Sequence, residues 1–201
     1  MSPNEILGLA RLTIQKEING ITALIDQLDD RFLKAVEGLL ECKGHVLVTG
    51  AGTSNPVAAR LAHLLSCCGT PALFIHPGDS QHGLAGAVTK QDVLLAISKG
   101  GETTEVIHLA QVAKNRGATV ITMTENADST LGKLSDVVLL VQSPLDVDPH
   151  GMIATGSSLI NAAMGDALCV VLLHLRGYSL EEFGKTHPGG AVGRKLADTE
   201  R

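Results

Sequence analysis

The first forty residues carry apolar side chains at helical intervals: Ile6, Leu9, Ile14, Ile18, Ile21, Leu24, Ile25 and Leu28, then Phe32, Val36, Leu39 and Leu40. Spacings of three and four place such residues on one face of a helix. Ser2-Pro3-Asn4-Glu5 supplies the start, with capping-box spacing and proline at the first helical position. Asn19-Gly20 and Asp29-Asp30 are the two places where this stretch would divide into two helices. From residue 45 the period changes. Short β-rich runs at 45–49, 72–76, 93–98, 119–124 and 137–141 alternate with helical segments near 56–67, 103–116 and 129–134 and a looser stretch around 79–90. A long apolar helix is expected over 157–176, capped by Ser157 or Thr155 and ended by Arg176-Gly177.

Buried strands joined by helix-length crossovers predict a parallel sheet. The expected fold class is α/β: a three-layer αβα sandwich with a five-stranded parallel sheet in the flavodoxin-like order 2-1-3-4-5. It is expected to form one domain over 1–201, with the helices of 1–43 packed on it or on a neighbouring subunit. The sequence contains no repeat, low-complexity tract or linker.

Composition narrows the function. With 44% hydrophobic and 18% charged residues the chain is too apolar for disorder. Its aromatics are Phe32, Phe74, Tyr178 and Phe183 alone, too few for a base-stacking platform. A net charge of −5 without a basic stripe argues against nucleic acid as a partner. Cys42, Cys67, Cys68 and Cys169 show no CxxC spacing and read as buried core thiols rather than a metal or redox set. The N-terminus lacks a basic stretch followed by an apolar run, and no uninterrupted apolar segment reaches ~18 residues, so a cytoplasmic protein without a membrane partner is expected.

In a doubly wound sheet the ligand crevice opens at the carboxyl ends of the strands where chain order reverses, commonly between strands 1 and 3. The loops there are Gly50-Ala51-Gly52-Thr53-Ser54-Asn55 and Ser98-Lys99-Gly100-Gly101-Glu102-Thr103-Thr104-Glu105. Glycines that let backbone N–H groups approach, hydroxyl donors and a following helix N-terminus suit a phosphate. Tight turns with N-caps would produce the same residues. A dinucleotide site fits poorly, because Asn55 stands where a third glycine belongs and the second strand ends Ile75-His76-Pro77 without an acidic residue. A Walker loop is absent, Lys99 preceding its glycines. Thr155-Gly156-Ser157-Ser158 opens the long last helix and would meet the same ligand or serve only as a cap.

For proton transfer the candidates are Glu105, His82 and His187, each in a turn-rich segment; Glu105, about one helical turn beyond Gly101, can lean over a phosphate-anchored sugar. His45, His63, His108 and His174 lie at strand or helix positions and read as structural. Asp146, Asp148 and His150, with His82 or His187, would offer ligands to a divalent metal, but no tight spacing supports one and none is expected.

Taken together the residues resemble the sugar isomerase (SIS) domain of the arabinose-5-phosphate isomerases, from about Cys42 to Leu196. Its specific pieces are Gly69-Thr70-Pro71-Ala72, His76-Pro77-Gly78 with His82-Gly83, Gly101-Glu102-Thr103-Thr104-Glu105, Met164-Gly165-Asp166-Ala167-Leu168, Arg176-Gly177-Tyr178, and Phe183 through the His187-Pro188-Gly189-Gly190 segment to Leu196. The resemblance implies a subunit-sharing homo-oligomer, dimer or tetramer, that interconverts an aldose phosphate and a ketose phosphate through an enediol without an organic cofactor. It implies that Glu105 is the catalytic acid or base and that His82 and His187 line the site, His187 from a neighbouring subunit. Ser54, Ser98, Thr103, Thr155, Ser157 and Ser158 match hydroxyls around the phosphate, and Gly52, Thr53 and Gly101 of the two loops are further candidates for binding it.

Three departures stand out. Thr53 replaces a family lysine, Val147 falls where the family has a glutamate with only Asp146 and Asp148 flanking it, and the chain stops at Arg201 where many relatives continue into a pair of regulatory nucleotide-sensing (CBS) domains. Two other functions therefore accompany the isomerase reading: a non-catalytic phosphosugar sensor, and a 6-phospho-3-hexuloisomerase, suggested by the run Asp128 to Asp136. The His-Pro-Gly-Gly segment favours the arabinose-5-phosphate family over the latter.

Overall fold

Ser2 starts the first helix as its spacing predicts: its backbone N–H donates to Glu5 Oε2 at 2.6 Å and its hydroxyl accepts from Glu5 N at 3.3 Å. This helix, α1, runs Pro3–Ala23 and is not broken at Gly20. Gly20 is buried there, and a Cβ would stand 2.5 Å from Ile160 Cδ1, so glycine serves close helix approach instead of a turn. The division comes at the second expected place, where a 3-10 turn at Ile25–Gln27 precedes α2 (Asp30–Leu40), capped by Asp29 accepting from Arg31 N. Much of the apolar stripe of α1 faces outward, with Ile6, Leu7, Leu9, Leu12, Ile14 and Ile18 at least half exposed.

The computed structural model describes residues 1–199, with side chains to Lys195; Glu200 and Arg201, and the side chain of Leu196 that closes the resembling stretch, lie outside the described residues. After α2 the elements are β1 (Val46–Gly50), α3 (Ser54–Cys67), β2 (Ala72–Phe74), α4 (Pro77–Ser80), β3 (Val93–Ile97), α5 (Thr104–Asn115), β4 (Thr119–Thr124), α6 (Thr130–Leu134), β5 (Val137–Leu140), α7 (Gly156–Arg176), α8 (Leu180–Thr186) and α9 (Gly190–Thr199). The five strands form one sheet in the order β2-β1-β3-β4-β5, every neighbouring pair parallel. The looser stretch holds α4 and a 3-10 turn at Leu84–Ala87.

β1 and β3 are buried along their whole length because helices cover both faces. Alternate residues divide between two cores. Val46, Val48, Leu95 and Ile121 meet Leu39 of α2, Leu61 and Leu65 of α3 and Ile160, Met164 and Leu168 of α7. Leu47, Leu94, Ala96 and Val120 meet Val106, Leu109 and Ala113 of α5 and Leu131 of α6 on the other side.

Three expectations need correction. The apolar periodicity does not predict α8 and α9, although α8 opens with a capping box between Ser179 and Glu182. Helix α7 ends at Gly177 in the left-handed region, φ 62°, as expected, but Thr155 makes no side-chain cap. Its first turn is capped from upstream, Ser157 N donating to Asp148 Oδ1 at 2.9 Å. Of the four cysteines, all free, only Cys169 is fully buried.

Candidate functional site

Strand β1 pairs with β2 on one side and β3 on the other, so chain order reverses between β1 and β3. Gly50 and Ile97, the last residues of those two strands, are register partners. The two loops therefore leave the sheet side by side, about 4.8 Å apart.

In the first loop a Cβ on Gly50 would lie 2.7 Å from Ser54 O, so only glycine lets α3 begin this close to its strand. Ala51 O accepts from Ser54 N and Gly52 O from Asn55 N, both at 3.1 Å. Gly52 and Thr53 are exposed at the tip and Ser54 is half-buried. In the second loop Ser98 Oγ lies 3.2 Å from Thr103 Oγ1 and accepts from Gly101 N at 3.2 Å. Gly101 has φ +71°, and its missing side chain leaves room for Ser129. Glu102 Oε1 and Oε2 accept from Thr130 N and Oγ1 at 2.8 Å each, and these two bonds hold its carboxyl below the usual range. Glu105, in the first turn of α5, is exposed, and its carboxylate makes no hydrogen bond or ion pair among the described residues. Of the loop's two carboxylates, one is a structural clamp and one faces solvent.

A third group escapes sequence reasoning. Lys99 Nζ donates to Asp148 Oδ2 at 2.7 Å and stands 4.0 Å from Glu125 Oε1. Asp148 also accepts from Ser157 N at 2.9 Å and from Ser157 Oγ at 2.5 Å. Its side chain is 2% exposed. Burial alone would raise its carboxyl, but the donors from Lys99 and Ser157 outweigh burial and hold it below the usual range. Glu125 accepts from both the N–H and hydroxyl of Ser143. The cluster joins the loops after β3, β4 and β5 to the start of α7. Lys99 and Asp148 are 49 positions apart, so no local spacing announces the pair; a lysine directly after a buried strand is the available signal.

The expected residues around α7 separate. Ser157 is buried against Asp148, with both its donors committed there. Thr155 and Ser158 instead line an open groove of about 570 Å³ between α1, α3 and α7, beside the paired Arg60 and Asp166 at 2.7 and 3.0 Å. Val147 is buried, and Asp146 is an exposed ion pair with Lys16 of α1 at 3.0 Å. Asp146 is engaged with Lys16 and Asp148 with Lys99, and His150 is exposed in a 3-10 turn at Pro149–Gly151; no group of three His, Cys, Asp or Glu side chains able to hold a metal occurs among the described residues.

The histidines are also apart. His82 is exposed in the turn after α4, next to Gly83 at φ +106°. His187 ends α8, its ring stacked on Phe183 at 3.8 Å, its Nδ1 2.9 Å from Phe183 O and its Nε2 3.5 Å from Cys67 Sγ. Cys67 ends α3, whose 14 residues begin at the first loop, so His187 lies about 20 Å from that loop in the same chain. His45, His63, His108 and His174 are all exposed, so they lie at the surface rather than in the core.

The model of the SIS domain family matches residues 39–171. Arabinose 5-phosphate isomerase KdsD of Yersinia pestis is 40% identical over 183 residues, 91% of this chain and 56% of that protein. The enzyme of the same name from Pseudomonas aeruginosa is 40% identical over 197 residues, 98% of this chain and 60% of that protein. The chain thus spans less than two thirds of either relative. Among solved structures, a Listeria monocytogenes chain described as a sugar-phosphate isomerase superposes with TM-score 0.90 at 38% identity, covering 94% of this chain and 100% of that one. The Escherichia coli CFT073 protein c3406, solved in complex with arabinose 5-phosphate, has TM-score 0.90 at 29% identity, with 94% and 100% covered. The chain belongs to the SIS domain family and is a homologue of the arabinose 5-phosphate isomerases.

Proposed function

We propose that the chain is an aldose–ketose isomerase of a sugar phosphate, with arabinose 5-phosphate the first substrate to test. The observation that carries this reading is Glu105: an unpaired, exposed carboxylate one turn beyond a glycine- and hydroxyl-rich loop that leaves the sheet beside the loop after β1. Similarity to KdsD and to c3406 with its bound arabinose 5-phosphate supports it. Gly52, Thr53, Ser54, Ser98, Gly101 and Thr103 hold the phosphate by N–H groups and hydroxyls, and Thr155 and Ser158 approach from α7. Ser157 acts behind them by bracing Asp148. Glu105 removes the C2 proton of the aldose and returns it to C1, while a hydroxyl proton moves from O2 to O1. His82 and His187 serve ring opening and that hydroxyl transfer. Because His187 sits about 20 Å from its own first loop, it serves a neighbouring subunit, and the exposed apolar face of α1 supports association.

Thr53 favours a second reading, a phosphosugar sensor, since the first loop carries no cation. Purified protein is incubated with a panel of pentose and hexose phosphates and assayed for interconversion and thermal stabilisation. Conversion supports the isomerase, stabilisation without conversion supports the sensor, and neither response refutes both.

A further inference from the structure

The loops that follow β1, β3, β4 and β5 contain one lysine or arginine between them, Lys99. An enediolate intermediate puts negative charge on an oxygen of the sugar, and a fixed donor aimed at that charge is the largest single contribution to many such reactions. The first loop offers no such group, because Thr53 is neutral. Lys99 is placed to supply it. Its neighbours Ser98 and Gly101 turn their donors and acceptors into the loop, whereas the Lys99 side chain leaves toward the β5 side and reaches Asp148 and Glu125.

Three features make the ammonium a positioned charge. Asp148 is almost wholly buried and is fixed by both donors of Ser157, so it anchors Lys99 to the rigid start of a 21-residue helix. That helix terminus and Ser157 absorb part of the aspartate's charge, which leaves Lys99 as the outward end of the pair. The lysine side chain is 36% exposed, and among the described residues Nζ makes one hydrogen bond, leaving N–H donors for a ligand.

We infer that Lys99, held by Asp148, is a catalytic residue that donates to the sugar's developing enediolate oxygen. The inference rests on the isomerase reading proposed above. It assigns Lys99 to the sugar and the hydroxyl loops to the phosphate, so the two functions separate in kinetics.

The test compares wild type, Lys99→Met and Lys99→Arg in the full chain. The readouts are kcat, KM, exchange of the C2 proton with deuterated solvent, and thermal stabilisation by arabinose 5-phosphate and by inorganic phosphate. Lys99→Met is expected to lose about 10²–10³ in kcat and in C2 exchange, with KM and phosphate stabilisation within about threefold of wild type. Lys99→Arg recovers part of the loss because it keeps the charge. Wild-type kcat in Lys99→Met overturns the inference and leaves the isomerase reading intact. A melting temperature lowered together with lost phosphate binding, unrescued by arginine, also overturns it, since that is the behaviour of a strut. Absence of conversion and of C2 exchange in the wild type with every sugar phosphate removes the isomerase reading and this inference together.

Discussion

Gly101 and Gly100 are adjacent in the second loop, yet their replacement by alanine should differ sharply. Gly101 has φ +71°, and an L residue in the left-handed region costs roughly 1–2 kcal/mol. Its new Cβ would also fall 2.0 Å from Ser129 Oγ and 2.5 Å from Ser129 Cβ. Ser129 cannot turn aside freely. It is buried, donates to Asn126 O at 2.7 Å and caps α6 by accepting from Gly132 N at 3.1 Å. Losing that cap adds about 1 kcal/mol, so Gly101→Ala should destabilise by about 2–3 kcal/mol. For a chain of this length that is a fall of about 4–12 °C in Tm. Gly100 has no positive φ, and a methyl group added there would meet nothing within 4 Å, so Gly100→Ala should stay within about 0.5 kcal/mol. Urea titration followed by circular dichroism, at one protein concentration because association shifts apparent stability, measures both. Equal midpoints for the two variants would refute the steric reasoning.

Four further outcomes follow from the site. Glu105→Gln should abolish turnover while arabinose 5-phosphate still stabilises the protein, because anchoring the phosphate does not use the base; unchanged turnover removes Glu105 from its role. Mixing Glu105→Gln subunits with His187→Ala subunits should restore activity toward about a quarter of wild type in a dimer, since half the molecules then hold one intact shared site; no recovery would place both groups in one chain's site. Asp148, its carboxyl lowered by Lys99 and Ser157, contributes stability above its unfolded pKa that is lost as pH falls through the folded value. The Tm gap between wild type and Asp148→Asn should accordingly be widest near neutrality and narrow below about pH 4, and a gap that widens in acid contradicts that sign. Cys169, whose thiol burial pushes up to about 12, should escape iodoacetamide at pH 8 until the chain unfolds, and peptide mass spectrometry showing native labelling would contradict its burial.

Much of the fold is legible in the sequence because its determinants are local. The five strands are short apolar runs, and α3, α5, α6 and α7 begin and end within about two residues of the expected places. The two loops of the crevice are legible for the same reason, since glycines and hydroxyls next to a strand end carry their conformation with them. What escapes depends on distant contacts. Gly20 looks like a breaker because its partner, Ile160, is far along the chain. Thr155 and Ser157 are the nearest hydroxyls to the start of α7, whereas Asp148 folds back to cap it. Lys99 reads as part of a failed nucleotide loop because its meaning lies in a carboxylate on another loop. α8 and α9 are short, and their apolar residues are too few to show a period.

Val147 bears on how this site can change over generations. Its side chain is 3% exposed and fills the space that a Cβ on Gly156 would enter at 2.1 Å. Glycine at 156 is therefore tied to valine at 147: a side chain added at 156 is penalised by packing until residue 147 becomes smaller. An ionised glutamate placed at 147 would exchange hydration for Lys16, which lines the same pocket and is already paired with Asp146.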